Sequence, residues 1–528
     1  MKLDDQPFYT DSRHGQSITE PPKKENLRQR AYLNSATSVL DYGSSVITGF
    51  IVIPFLVSGL GSSLFGAWKI LSQLTAYANI TDVRVTQVLK WAIARDREVL
   101  DEGQIREYVT AAFVIVLLVL PVFLAAGAAL IWYSPSITGV GSEYETLIRI
   151  TASLLVLALV VHNLFELFES ILRGMNLTYK RMGLRALVFF LGGMAQILVV
   201  AGGYGLVALA TVQIVVNLVI GVILYLLVKK HVPWFGFGVF RRSRFYSFFR
   251  TSGWFMGWSG VKLVLVNSDK VLLGFLAGPV LVTQYVITEY LIKAASSLVN
   301  NMVHGVMPGI GKLYGTGDHQ KLYHARNVVM QLTWLMAAAI GSVVILNNGL
   351  FIGLWTGADH YAGDVAGALI VVVAMQYLFI QNDSMIIDTT LNIRSKLFLG
   401  MASALLTIVV ILLLVPGYGI AGLCAGLLVG RSVMMVGYPM IISEKLGLSK
   451  TIWTAISPKK IVMLFLLWGA AYYLNGIILV DGWLALVASV IISGLVFFLM
   501  AFYGGLSRHE RQGLLDHAFR ISPFKSGD

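Results

Sequence analysis

Apolar residues in this chain come in runs of twenty or so, set apart by short polar breaks. A run of about 20 apolar residues, rising about 1.5 Å each, spans the hydrocarbon core of a bilayer. On that ruler the sequence predicts fourteen helical spans, at 33–57, 64–92, 108–133, 147–172, 182–202, 205–228, 252–276, 280–310, 327–355, 364–390, 397–415, 419–443, 459–480 and 483–504. The breaks alternate in charge. One set carries the Lys and Arg residues, among them Arg95 and Arg106, Arg173 and Arg181, Lys229 and Arg242, Lys321 and Arg326, and Lys445 and Lys460. The other set (SGLGSS, SPSITGVGSEYE, GGYG, AGPVLV, TGADHYAG, PGYG, VDG) has neither residue. Lys69 and Arg149 are mild exceptions, each a few residues into the span that follows an outer loop. The positive-inside rule then places both termini in the cytoplasm, which requires an even number of crossings.

The pattern repeats. GGYGLVALA at 202–210 answers PGYGIAGLCA at 416–425, LRGMNLTYKR at 172–181 answers TLNIRSK at 390–396, and PFLVSGLG at 54–61 answers GFLAGPVL at 274–281. Three matches in order, at similar offsets, predict two copies of a six-helix unit in parallel orientation. Such halves commonly enclose a central site and rock about it. The expected division is a cytoplasmic tail at 1–32, one six-helix bundle at 33–230, a cytoplasmic linker at 231–251, a second bundle at 252–446, two extra helices at 447–504 and a tail at 505–528. The first 30 residues lack the short apolar core and cleavage site of a signal peptide.

Composition agrees. Hydrophobic residues make up 56% and charged residues 13%, against about 25% charged in soluble domains. The net charge of +12 resembles a nucleic-acid signal, but the cations sit in the loops between spans, and no nucleic-acid partner is expected. Cys424 is the single cysteine, so no intrachain disulfide can form.

Ionisable groups inside the spans are the candidate chemistry, because a charge at the centre of a span costs about 2.5–3.5 kcal/mol on insertion scales. The stretch from Ser252 to Lys312 concentrates them: Lys262, Asp269 and Lys270 in span 7, Glu289, Lys293 and His304 in span 8. Counting helical rise puts Lys262, Lys293 and Arg431 near the midplane. Asp41 lies in span 1. Asp82 and Arg84 fall in the inner half of span 2. Glu166, Glu169 and Arg173 share a face of span 4, and Asp383 and Asp388 occupy the matching end of span 10.

The fourteen spans, the duplicated halves, IPFLVSGLGSSLFGAW, SDKVLLGFLAGPVLVTQYVI and LFIGLWTG resemble the polysaccharide-transporter (Wzx-type flippase) family of the multidrug/oligosaccharidyl-lipid/polysaccharide exporter superfamily. The resemblance covers roughly Leu33 to Gly504. It implies an all-α, V-shaped pair of bundles in the bacterial cytoplasmic membrane, acting as a monomer alongside polysaccharide polymerase and chain-length machinery. The implied cargo is a polyprenyl-pyrophosphate-linked oligosaccharide for O-antigen, capsule or exopolysaccharide. Lys262, Lys293 and Arg431 would then form a cationic cavity for its head group, with arginine suited to bidentate phosphate contact. Pairing with nearby carboxylates, as Glu289 four residues before Lys293 invites, is the structural alternative. Asp41 could couple transport to H⁺ or Na⁺, or simply be hydrogen-bonded in a helix of small residues. Asp269 and Lys270 could form a gate near the outer end. Asp82, Arg84, Glu166, Glu169, Arg173, Asp383 and Asp388 could form a cytoplasmic gate, or pack at the rim with snorkelling side chains. The carboxylates are more numerous than a purely cationic cavity needs.

The rivals are weaker. A cation-coupled drug or metabolite antiporter of the same superfamily would share the fold, with a usual twelve spans. A membrane glycosyltransferase or polymerase would need a large outer loop, and none exceeds about 15 residues. A scaffold would not need charge at mid-depth. The sequence has no ATP-binding GxxxxGK[ST] loop and no HExxH, so no enzyme and no metal cofactor is expected.

Overall fold

Long apolar runs with interior Gly and Pro build long helices here, some of them bent. The structure is a computed structural model and describes residues 27–78, 85–96, 101–389, 393–446, 457–477 and 482–521. The α-helices are α1 (Leu27–Ala78), α2 (Val85–Asp96), α3 (Glu102–Thr138), α4 (Glu145–Gly174), α5 (Leu184–Ala201), α6 (Gly205–His231), α7 (Arg242–Ala277), α8 (Pro279–Gly315), α9 (His319–Trp355), α10 (Asp364–Thr389), α11 (Ile393–Leu446), α12 (Pro458–Asn475), α13 (Trp483–Met500) and α14 (Arg508–Ile521). Among the described residues there is no strand. Local chemistry sets several ends. Asp101 accepts from the Gln104 amide (2.7 Å) to cap α3, Asp318 accepts from the Lys321 amide (3.1 Å) to cap α9, and Pro458 opens α12.

Among the described residues, nine helical stretches are long and apolar enough to cross a membrane, so the protein is an all-α, multi-pass membrane protein. Two of the nine, in α1 and α11, bend at an interior glycine, Gly61 and Gly419, and each is long enough to cross twice. Helices α7 and α8, where the ionisable residues 262–293 concentrate, are not among the nine, nor is α12.

The turns that the sequence repeat pairs share a backbone conformation. Gly61 (φ 75°, ψ 163°) bends α1, and Gly278 (φ 86°, ψ 167°), 217 positions later, joins α7 to α8. A side chain at either φ would be strained. Gly205 and Gly419, 214 apart in the GYG motifs, also have positive φ. The third match falls partly at 390–392, outside the described residues.

In the packing, α4 lies on α6, α3 and α2, and α1 on α5. Helix α11 lies on α10 and α7, and α8 on α10. Helices α12 and α13 are fastened to α9 by polar links: Trp334 donates to the Lys460 carbonyl (3.1 Å) and Ser489 to Asn347 (2.7 Å).

The core is continuous at one end and divided at the other. One cluster runs through α1, α4, α6 and α8–α13, from Leu56 and Phe65 to Ile352, Leu423 and Leu467. Toward the ends that carry the basic loops it gives way to two separate cores. One holds Leu89, Tyr108, Ile171 and Val228 of the N-terminal helices; the other holds Ile310, Leu322, Ile387 and Tyr438 of the C-terminal helices. At the joined end α1 touches α8 backbone to backbone: a Cβ on Gly66 would lie 1.9 Å from the Pro279 carbonyl oxygen.

Candidate functional site

The site is built from α7 and α8, whose hairpin at Gly278 sets their ionisable residues side by side. Tyr285 donates to Asp269 (3.0 Å). The Lys270 ammonium lies 3.4 Å from Asp269 and 3.3 Å from Glu289, and Glu289 also pairs with Lys293 at 3.6 Å. Asp269 and Lys270 are only 5% and 6% exposed. Each charge in this chain has an opposite neighbour, which is what allows it to leave water. The Lys293 side chain, 61% exposed, is the end that remains open.

That chain of charges lines a cavity of about 190 Å³ between α7, α8, α10 and α11, whose wall includes Asp269, Glu289, Lys293, Ser296, Tyr377 and Arg431. Arg431 is buried. It donates to the Leu265 carbonyl (2.9 Å), and its guanidinium carbon lies 5.0 Å from the centroid of the Tyr377 ring. Its Nε makes no hydrogen bond, and among the described residues it forms no ion pair. A planar cation kept in place by a ring and a carbonyl retains donors for an anion. A smaller compartment toward the basic end shares Val266, Tyr377 and Gln381 with this cavity and contains Lys262, Asp388 and Lys396. There Lys396 pairs with Asp388 and donates to the Ser384 carbonyl (3.0 Å).

The N-terminal helices hold a cavity of about 190 Å³ of their own, between α1, α5 and α6. Its wall is Ser45, Thr48, Trp68, Lys69, Gln196 and Gln213, among others. The Lys69 ammonium lies 5.0 Å from the Phe65 ring centroid and makes no ion pair among the described residues.

The structure thus brings Lys293, Arg431 and Asp269 to one cavity, with Lys270 buried behind it and Lys262 and Asp388 in the adjoining compartment. It places the other candidates elsewhere. Asp41 pairs with Arg181 (3.1 Å). Arg181 also reaches Glu169 (3.3 Å), on which Arg173 and Arg185 converge as well. The candidate coupling carboxylate and part of the candidate gate therefore belong to one network. Glu166 lies 3.9 Å from His162 on α4. Asp383 is buried in a two-point pair with Arg326 of α9 (2.7 and 2.8 Å). Asp82 and Arg84 lie outside the described residues.

Among the described residues the only ion pair between α1–α6 and the chain that follows is Arg241–Glu107 (2.7 Å), at the foot of α7. Elsewhere the two sets of helices meet through hydrogen bonds and rings. Tyr42 donates to the Ala294 carbonyl (2.6 Å), Thr283 to the Ser62 carbonyl (2.6 Å) and Trp355 to the Phe50 carbonyl (2.8 Å). Phe50 stacks on Trp355 at 5.6 Å, with Trp483 of α13 edge-on to Phe50 at 6.1 Å.

Sequence reasoning did not select Lys69, Arg181, Arg326, Tyr285 or Tyr377. Lys69 was visible as an exception to the loop rule, and the two arginines read as loop charges. The tyrosines carry no signal in a chain with 22 of them.

The model of the polysaccharide biosynthesis protein family matches residues 34–314, just over half of the chain. The chain belongs to this family. A search of curated proteins finds no match. Among solved structures, the lipid II flippase MurJ in its inward closed conformation aligns with a TM-score of 0.63 at 12% identity, covering 89% of this chain and 99% of that one. An inward-facing multidrug resistance MATE family transporter of the MOP superfamily aligns with a TM-score of 0.60 at 16% identity, covering 80% and 99%. An outward-facing MATE family transporter of that superfamily gives 0.54 at 15% identity, covering 79% and 96%. The family member described here therefore has the fold shared by MATE transporters and MurJ.

Proposed function

We propose that the protein is a flippase, a transporter and not an enzyme, that moves a polyprenyl-pyrophosphate-linked oligosaccharide from the cytoplasmic to the outer leaflet of the bacterial inner membrane by alternating access. The observation that carries this reading is Arg431, a buried cation that forms no ion pair among the described residues, facing a cavity that Lys293 also lines. A pyrophosphate needs planar and point cations held ready in a low-dielectric cavity. Lys69, in the opposite cavity, offers a second point charge. The reading includes fourteen crossings in two six-helix halves, α1 and α11 each crossing twice, with α12 and α13 added outside the repeat. The joined core then lies at the outer face, and the divided cores lie at the cytoplasmic face, where the head group enters.

Depletion of the protein in its native cell tests the reading. Accumulation of the lipid-linked oligosaccharide on the cytoplasmic side, with loss of surface polysaccharide, is the expected result. Restoration by an Arg431→Ala variant at normal level would overturn the site assignment.

A second reading, a cation-coupled antiporter, is favoured by Asp269 and Glu289 in the same cavity. It predicts new sensitivity to small cationic compounds on depletion, with no lipid-linked intermediate accumulating. Coupling to H⁺ or Na⁺ through Asp41 is supported by its Oδ1, which is buried without a hydrogen bond, and is weakened by Arg181 at its other oxygen.

A further inference from the structure

The stretch that joins the two sets of helices is rich in basic residues and rings and closes an acid-free run that begins at Ser170. From Lys229 to Ser268 there are 40 residues without one Asp or Glu. Its first half alternates basic residues with rings, as in KKHVPWFGFGVFRRSRFYSFF. The structure shows this stretch fastened rather than loose. Arg106 of α3 donates to the Trp234 carbonyl (2.7 Å), and Thr110 both accepts from the Gly238 amide (2.8 Å) and donates to its carbonyl (3.0 Å). Glu107 holds Arg241, and Trp234 is buried in the N-terminal core. A Cβ on Gly238 would lie 2.8 Å from the Glu107 amide nitrogen, so the strap runs directly on the backbone of α3.

Fastened in this way, the strap turns outward the residues a membrane interface favours. Phe237 is 61% exposed, Val239 74% and Phe240 48%, and Lys229, Lys230 and Arg242 are exposed beside them. The nearby acids are already engaged: Glu107 with Arg241, and Glu102 with Arg106 at 3.6 Å. Aromatic rings at the level of the head groups anchor a protein there, and juxtamembrane cations attract anionic lipid. We propose that this strap, 229–249, is a binding site for anionic phospholipid of the leaflet on the basic side, tying the N-terminal helices and the foot of α7 to the membrane surface. Charge complementarity selects this occupant, because among the described residues the patch holds cations and rings, and its carboxylates Glu102 and Glu107 are engaged by Arg106 and Arg241.

The test uses the full-length protein in nanodiscs of phosphatidylcholine with and without phosphatidylglycerol. Each surface cation contributes about fivefold in affinity, so K229Q/K230Q/R242Q loses roughly a hundredfold. Phosphatidylglycerol is expected to raise the unfolding temperature of the parent at low salt, with the gain shrinking at high salt and in the triple variant. Arg394→Gln, which removes an exposed cation at another basic loop, is expected to keep the gain. An equal gain in the triple variant overturns the proposal. If that variant does not fold, native mass spectrometry of the parent decides: preferential, salt-sensitive retention of phosphatidylglycerol supports the site, and equal retention of both lipids overturns it.

Discussion

The two cavities have the same volume, about 190 Å³, and opposite ways of holding charge. In the C-terminal one, Asp269, Lys270, Glu289 and Lys293 form a chain of contacts at 3.3–3.6 Å, and only Arg431 stands outside it. In the N-terminal one, Lys69 sits among hydroxyls, amides and rings and makes no ion pair among the described residues, while two carboxylates of that half, Asp41 and Glu169, are paired with Arg173, Arg181 and Arg185. A paired charge stabilises and positions; it gives little to a ligand, because a ligand must first displace its partner. An unpaired cation at the wall has its interaction energy still to give. On this comparison we propose Arg431 and Lys69, one on each side, as the cations that meet the head group, with the cluster of α7 and α8 beside the first of them.

The largest effect is expected where both members of a pair are buried. Asp383→Asn leaves Arg326 buried without its carboxylate and is expected to cost about 3–5 kcal/mol, read as a lower unfolding temperature and lower yield. Replacing both partners by apolar residues, as in R326M/D383L, is expected to recover most of that loss, with transport per folded molecule unchanged. A fall in transport at unchanged stability would move Asp383 into the gate instead. Next comes Arg431→Ala, which should retain the fold and lower transport by about thirtyfold, roughly 2 kcal/mol. Arg431→Lys is expected to recover only part, since a point charge replaces the planar donor. Full recovery would mean that charge alone matters there.

Much of this contrast was legible in the sequence, and the remainder was not for identifiable reasons. Periodicity placed the helices, because apolar length is a direct demand of the bilayer; the turns at Gly61 and Gly278 follow from Gly-bearing breaks. The concentration of ions at 262–293 pointed to α7 and α8, which line one of the two cavities of about 190 Å³. Partnering was hidden. Arg326 reads as a loop cation, and only the approach of α9 to α10 shows that it closes on Asp383, 57 positions later. Asp41 reads as isolated, since Arg181 is 140 positions away. Lys69 violates the charge alternation of the loops, and that violation was the trace of a cavity residue. Sequence spacing finds pairs within a helix, as with Glu289 and Lys293, but pairs between helices require the fold.

A finer test of the comparison is Lys69→Gln, expected to lower transport by about fivefold, near 1 kcal/mol. The informative measurement is the double variant with Arg431→Ala. If the two cations serve separate steps, the losses add within about 0.5 kcal/mol. If both hold one head group at once, the double variant loses less than the sum. A larger loss than the sum would mean that each can stand in for the other.

The smallest effect concerns α14, which hydrogen-bonds to α9 and α12 through Glu510. Ser507 and Glu510 cap it reciprocally, the Ser507 amide donating to Glu510 (2.8 Å) and the Glu510 amide to the Ser507 hydroxyl (3.3 Å). The other carboxylate oxygen accepts from buried Lys460 of α12 (2.6 Å) and from Gln331 of α9 (3.0 Å). Burial alone would raise the Glu510 carboxyl, but Lys460 and the Ser507 cap outweigh it and hold the carboxyl below the ordinary glutamate range. The stabilisation is therefore complete above that ordinary value, about 4.3, and is lost as pH falls through the lower folded value. The exchange protection of α14, relative to the intrinsic amide rate at each pH, is expected to be flat near neutral pH and to fall only under acid. Glu510→Gln should abolish the acid response and speed exchange at neutral pH by about fivefold, near 1 kcal/mol. An unchanged acid response in that variant would show that another group fastens α14, and the latch would then lie outside the Lys460 contact.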